Sequence, residues 1–256
     1  MLSIRAFLIG GVLALSTALP MAHAQEAEEP AKQDWSFNGA FGTYDKASLQ
    51  RGFEIYRTVC SACHSMNLVA YHDLSGIGYN EAEIKAIAAS VSVPDDPNDQ
   101  GEIVDRPGRP SDHFKPPFAN SKAAQAANNG ALPPDQSLIV RGRKYGPDYV
   151  YALLNGYKDQ APEGDNMPDG MYYNVAFPGH HIAMPPPLTD DSVAYSDGTK
   201  ATLQQEAKDI ATFLNWTSDP TLDQRHRLGA RVIIFLVVLS TVMYFVKRKV
   251  WSKIEH

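Results

Sequence analysis

Nineteen consecutive residues near the C-terminal end, Leu228 to Val246 (LGARVIIFLVVLSTVMYFV), carry a single charge, Arg231, close to the start of the run. A stretch this long and apolar has little choice of conformation. Hydrocarbon offers no water to the backbone N–H and C=O groups, so a lone segment must satisfy them internally as an α-helix. About 20 residues then cross the hydrocarbon core, and a charge near the end snorkels to the interface. A buried helix of a soluble core is the alternative. It fits poorly, because the run is apolar on all sides and is bracketed by Arg225-His226-Arg227 and Lys247-Arg248-Lys249. The expectation is one transmembrane anchor helix over 221–248, with a short tail, 249–256.

Basic residues on both flanks leave the positive-inside rule nearly silent, so the N-terminus decides the orientation. Met1 to Ala24 has one early charge, Arg5, then an apolar run, then Ala22-His23-Ala24. That is the layout of a bacterial export signal cut after Ala24, poorer in Arg and Ser than a mitochondrial transit peptide. Residues 25–220 are therefore expected on the periplasmic side of the bacterial inner membrane, in a single-pass protein with its tail in the cytoplasm. This exported part holds 27 Asp and Glu against 15 Lys and Arg, a net charge of −12. Such a domain repels nucleic acid and anionic lipid, and speeds encounter with a basic protein.

The chain keeps only two cysteines, Cys60 and Cys63, with His64 directly after the second. A disulfide between them would close a tiny loop and stabilise little. A thioredoxin-type dithiol needs a βαβ setting, which the sequence lacks. Zinc would need a fourth ligand and a histidine better placed than one beside the second cysteine. The pattern C-x-x-C-H uses all three residues: it is the attachment signature of c-type haem, two thioethers one turn apart and a proximal histidine. A helix leads into it, with Asp45 as cap and Leu49, Phe53 and Tyr56 at helical spacing. Gly52 lies on the same side, where it could admit another helix.

The opposite axial position calls for a second ligand, and methionine raises the reduction potential. The choices after the signal are Met66, Met167, Met171, Met184 and Met243. Met66 is too close to His64 to reach the other face, and Met243 lies in the span. Met184 precedes Pro185, Pro186 and Pro187, which forbid helix and hold the chain extended. His180 and His181 are rivals that would give a bis-histidine site.

Four blocks, RGFEIYRTVCSACHSMNLVAYHDL, NNGALPPDQSLIVRGRKYGPDYVYALLNGY, AMPPPL and DGTKATLQQEAKDIATFLNWTSDP, occur in this order ahead of the span. Together they closely resemble the cytochrome c1 family, the haem subunit of the cytochrome bc1 complex (ubiquinol–cytochrome c reductase), over about residues 35 to 252. The resemblance implies one covalently bound haem c on Cys60 and Cys63, with its iron between His64 and Met184. It places Arg143 at the propionates, where a guanidinium pairs with carboxylates. It places Tyr149 in haem contact and Asn128 and Pro134 along the haem edge. It also implies an electron carrier that makes no bond in a substrate, takes one electron from the Rieske iron–sulfur protein, gives it to a c-type cytochrome, and sits beside cytochrome b. One departure stands out: some bacterial relatives brace the methionine loop with an extra disulfide, which two cysteines cannot supply here. The three prolines are expected to provide part of that stiffness. A tethered cytochrome serving an oxidase, a haem peroxidase or sensor, and a haem-free metal-binding anchor share parts of the pattern.

Expected elements are a helix from Asp45 to Val59, a second from Asn80 to Val91, a short one from Ser121 to Ala127, and one from Pro147 to about Asn155. A last soluble helix opens with a Thr202/Gln205 capping box. Residues 93–118 and 161–197 read as long loops. The fold class expected is all-α, a cytochrome c-like haem domain with long loops plus the C-terminal span.

Overall fold

The computed structural model describes residues 27–252. The export signal expected at Met1–Ala24, and the last four residues of the tail, lie outside this range. The described chain is mostly helical, as expected, and its helices begin where local capping chemistry puts them. Asp45 caps α1 (Lys46–Thr58) by accepting from Ala47 N at 3.0 Å. Asn80 and Glu83 form a reciprocal capping box at the start of α2 (Glu81–Ala89). Asn120 caps α3 (Ser121–Ala127), and Pro147 opens α4 (Pro147–Asn155). Thr202 Oγ1 caps α5 (Leu203–Ser218).

The core forms where α1 crosses α5. Leu49, Ile55, Ile210 and Phe213 are fully enclosed or nearly so. Phe53 and Tyr56 of α1 pack on Phe213 and on Phe114. Gly52 permits the close approach: a Cβ there would lie 2.3 Å from the Asp209 carbonyl oxygen and 2.6 Å from Phe213 Cβ. Asp209 is itself fully buried. Its carboxylate accepts from Ser48 Oγ at 2.6 Å, Arg51 Nε at 2.8 Å and Gln205 Nε2 at 3.0 Å. This corrects the expected capping box. The Gln205 side chain does not reach back to Thr202: its Nε2 is turned to Asp209, and Thr202 N donates to Lys200 O instead.

Two segments expected to be irregular contain paired backbone. Within 93–118, β1 (Ser92–Pro94) pairs antiparallel with β2 (Asp105–Pro107), Val93 opposite Arg106. Arg106 fixes the ribbon by reaching Asp95 at 2.9 Å and Asp112 at 2.6 Å. Within 161–197, β3 (Tyr172–Tyr173) pairs with β4 (His181–Ile182). A 3₁₀ helix over Tyr71–Ile77, stopped by Gly78 at φ +106°, carries Leu74 and Ile77 into the core.

The last helix, α6 (Leu222–Trp251), buries no residue in the rest of the chain. Its 30 residues span about 45 Å, and among the described residues it is the one helix long and apolar enough to cross a membrane. Its first turn is tied to the globular part. Tyr44 N donates to Asp223 Oδ1 at 3.0 Å, His226 Nδ1 to Gly42 O at 2.6 Å, and Arg141 and Arg225 both pair with Asp219.

Candidate haem site

The end of α1 delivers the two thiols. Beyond Thr58 the chain tightens into a 3₁₀ turn over Cys60–Ala62, and Cys63 N and His64 N both donate to Cys60 O, at 3.1 and 2.9 Å. Both cysteines are unbridged, Cys60 half-buried and Cys63 exposed. Burial pushes the Cys60 thiol up to about 12. A redox-active dithiol needs the reverse, an electropositive setting that lowers a thiol into the physiological range. Among the described residues no three His, Cys, Asp or Glu side chains converge as a metal-binding group, so the three protein ligands of a zinc site are not assembled around this turn.

The next residue is held for a different task. His64 Nδ1 lies 2.8 Å from the Pro134 carbonyl oxygen. A carbonyl only accepts, so Nδ1 carries the proton and Nε2 keeps its lone pair free. Burial lowers the imidazole's proton affinity, and the Pro134 carbonyl and Asp135 offset this only partly. At neutral pH the ring is therefore uncharged, the form that binds a metal. Met66 is fully buried and packs in the core cluster.

Pro134 is held in place by lacing between two loops about 70 residues apart in sequence. Gln136 N donates to Ser65 O at 2.8 Å, and Leu68 N to Ser137 Oγ at 3.0 Å. Asp135 Oδ2 accepts from Ser65 Oγ and from Asn67 N, both at 2.8 Å, and Oδ1 accepts from Ser137 N at 2.9 Å. Burial raises the Asp135 carboxyl, but the hydrogen bonds from Ser137, Asn67 and Ser65 outweigh it and hold the group below the usual carboxylate range. Both laced loops leave leucines exposed: Leu68 at 62%, Leu138 at 49%, and Leu132, just before Pro134, at 50%. These exposed leucines, on the two loops that hold His64 and its acceptor, are apolar surface of the kind an apolar macrocycle covers.

Met184 is half-buried, two residues beyond β4. Its carbonyl accepts from Tyr157 Oη at 3.0 Å, and Leu188, just past the three prolines, is buried. Both rival histidines are engaged within the same loop. His180 is buried, with Nδ1 3.2 Å from Asn174 O and its ring 5.5 Å from that of Tyr173. His181 Nε2 is 2.8 Å from Asp165 Oδ1.

The remaining expected residues fall around these. Tyr149 lies on α4, where burial raises its phenol and Arg143 pulls it back, so the two are electrostatic neighbours. Arg143 is exposed, and among the described residues no carboxylate pairs with it. Burial also raises the phenol of Tyr157, which senses Tyr149 and Tyr172. Asn128 ends α3, its Nδ2 donating to Ala124 O at 2.7 Å and its carbonyl accepting from Ala131 N. It thus starts the segment that leads to Pro134. Pro134 contributes through its carbonyl, a group with no side-chain signature. Asp135, Ser137 and Tyr157 were not singled out in the sequence. The Asp-x-Ser pattern after two prolines was the available signal, as an Asx-type turn.

Residues 35–254 match the Cytochrome C1 family. The chain is 44% identical to cytochrome c1 of Rhodospirillum rubrum, over 96% of this chain and 97% of that one. It is 45% identical to the mitochondrial cytochrome b-c1 complex catalytic subunit of Candida albicans, over 94% of this chain and 83% of that one. A longer relative, cytochrome b/c1 of Bradyrhizobium diazoefficiens, is 42% identical over 96% of this chain, which spans 39% of its length. A match over most of the chain, together with a C-x-x-C-H turn whose histidine is braced by a backbone carbonyl, shows that the chain belongs to the cytochrome c1 family.

Proposed function

We propose that this chain is the haem-bearing electron carrier of a bacterial ubiquinol–cytochrome c reductase, relaying one electron at a time from the Rieske iron–sulfur protein to a c-type cytochrome. The observation that carries the reading is the His64 imidazole, held at Nδ1 by Pro134 with Nε2 free, one residue after two unbridged thiols. When bound, a haem c supplies the one-electron Fe(III)/Fe(II) couple. Cys60 and Cys63 would hold it by thioethers, His64 Nε2 and the Met184 sulfur would ligate its iron, and Arg143 would pair with a propionate. Tyr149 and the Asn128–Pro134 segment would line its edge. Tyr157 steadies the methionine through the Met184 carbonyl; of the rival histidines, His180 is buried inside the loop against Asn174 and His181 pairs with Asp165.

The anchor supports a fixed carrier rather than a swinging one. Hydrogen bonds and ion pairs at Asp219, Asp223 and His226 join α6 to the globular part at its first turn. With the signal reading of the N-terminus, the haem domain sits on the periplasmic face of the inner membrane. Relatives named for the cytochrome b-c1 complex, and for cytochrome b and c1 together, support a place beside cytochrome b. Solubilised membranes from the native host provide the test. The chain should co-purify with a b-type cytochrome and an iron–sulfur protein and show a c-type α-band that quinol reduces. A band that quinol leaves oxidised, or a chain that purifies alone, would overturn the proposal.

A further inference from the structure

We infer that Asp135 is the positioning residue for the His64 imidazole and acts through the Pro134 carbonyl; the inference rests on the reading of His64 as an iron ligand. Pro134 has no N–H of its own, and its φ is fixed by the ring. The direction of its carbonyl therefore depends on how the Pro134–Asp135 peptide is anchored. Its side-chain anchor is the Asp135 carboxylate, beside the backbone bond from Gln136 N to Ser65 O. One oxygen gathers Ser65 Oγ and Asn67 N, the residues one and three beyond His64, and the other takes Ser137 N. The imidazole and its acceptor, 70 residues apart in sequence, are thus bridged by one carboxylate that gathers three of the bonds between and within their loops. Hydrogen bonds to an ionised carboxylate are short and about twice as strong as neutral ones, so the frame is stiff where the ring needs it.

The consequence is electronic as well as geometric. An Nδ1–H bond to a carbonyl fixes the ring's rotation and makes Nε2 a stronger donor, which favours the oxidised metal. Loosening that bond should weaken the donation and raise the reduction potential. Substitution of such supporting partners costs tenfold or more in metal sites. About tenfold in the reduced-to-oxidised ratio at fixed ambient potential corresponds to about 59 mV for a one-electron couple.

The test uses the assembled complex in native membranes, with Asp135→Asn, Asp135→Glu and Ser65→Ala. Readouts are covalent haem content, the midpoint potential, and the low-spin ferric EPR spectrum, whose largest g value follows the orientation and basicity of the imidazole. Asp135→Asn should keep its haem, raise the potential by about tenfold in that ratio, and move the g value. Asp135→Glu, which keeps the charge but misplaces it by one methylene, should shift both in the same direction. Ser65→Ala removes one of the three donors and should give a smaller shift of the same sign; it decides the matter if the Asp135 variants do not accumulate. Haem-loaded variants with unchanged potential and g value would overturn the inference and leave the reading of His64 intact. A shift in Asp135→Asn with none in Asp135→Glu would make the carboxylate a charge rather than a positioning device, and would equally overturn it. Wild-type protein without covalent haem would instead sink the underlying reading.

Discussion

The crossing of α1 and α5 carries the haem motif, so its tolerance can be tested at one atom. Gly52→Ala adds a Cβ that would sit 2.3 Å from the Asp209 carbonyl oxygen and 2.6 Å from Phe213 Cβ. The first obstacle is backbone of a buried helix, so no rotamer change relieves it. The helices must part by roughly 1 Å to restore ordinary contact distances. Overpacking typically costs about 1–3 kcal/mol, and the upper end applies where the neighbour cannot rotate away. Alanine returns about 1 kcal/mol through its better helix propensity. The net cost is about 2 kcal/mol, which for a domain of this size lowers the melting midpoint by about 4–8 °C. The assay is thermal loss of the c-type haem absorbance in the purified complex, with wild type scanned at the same rate. A variant that melts at or above the wild-type temperature would refute the argument that α1 and α5 touch through Gly52.

Other expectations follow from the loops and the ligands. The Asp112 carboxyl is lowered to about 2, chiefly by the hydrogen bond from Arg106. Its folded value lies below the ordinary one, so the stability it lends is present above about pH 4 and is lost as the pH falls towards 2. Amides of the Ser92–Pro107 ribbon should lose hydrogen-exchange protection over that window, and Arg106→Gln should remove the protection at neutral pH; equal protection throughout would contradict this. If Met184 is the sixth ligand as proposed, Met184→Leu should open the axial position, let carbon monoxide bind the reduced protein, and lower the potential by roughly 0.1–0.2 V, within the range that axial ligands command; Pro185→Gly should move the potential the same way by less. Electron delivery to a basic acceptor should slow as salt rises, given the −12 charge of residues 25–220; a flat rate would remove the electrostatic steering.

The parts of this fold that could be read in the sequence are those set by neighbours in the chain. Asp45, Asn80, Pro147 and Thr202 start their helices by bonds or dihedrals within three residues, so each start was visible. Gly52 could be flagged as a close approach, but not its partner. The β1–β2 ribbon escaped notice because its three-residue strands have no period to detect. Arg106 holds their pairing by reaching two aspartates, a tertiary choice. Gln205 shows the converse, a correct local signal whose side chain a buried carboxylate diverts. The site divides in the same way. Cys60, Cys63 and His64 are a contiguous chemical pattern. The brace on His64 is a backbone carbonyl 70 residues away, and its anchor is an aspartate that looks like any other turn residue.

Attachment of one haem to the Cys60–His64 turn is tested directly by peptide mass spectrometry of the native protein. After denaturation and acid–acetone extraction, the proteolytic peptide containing Cys60, Cys63 and His64 should still carry the mass of one haem, and Cys60→Ala with Cys63→Ala should release it. A peptide recovered at its bare mass with two free thiols would contradict the account.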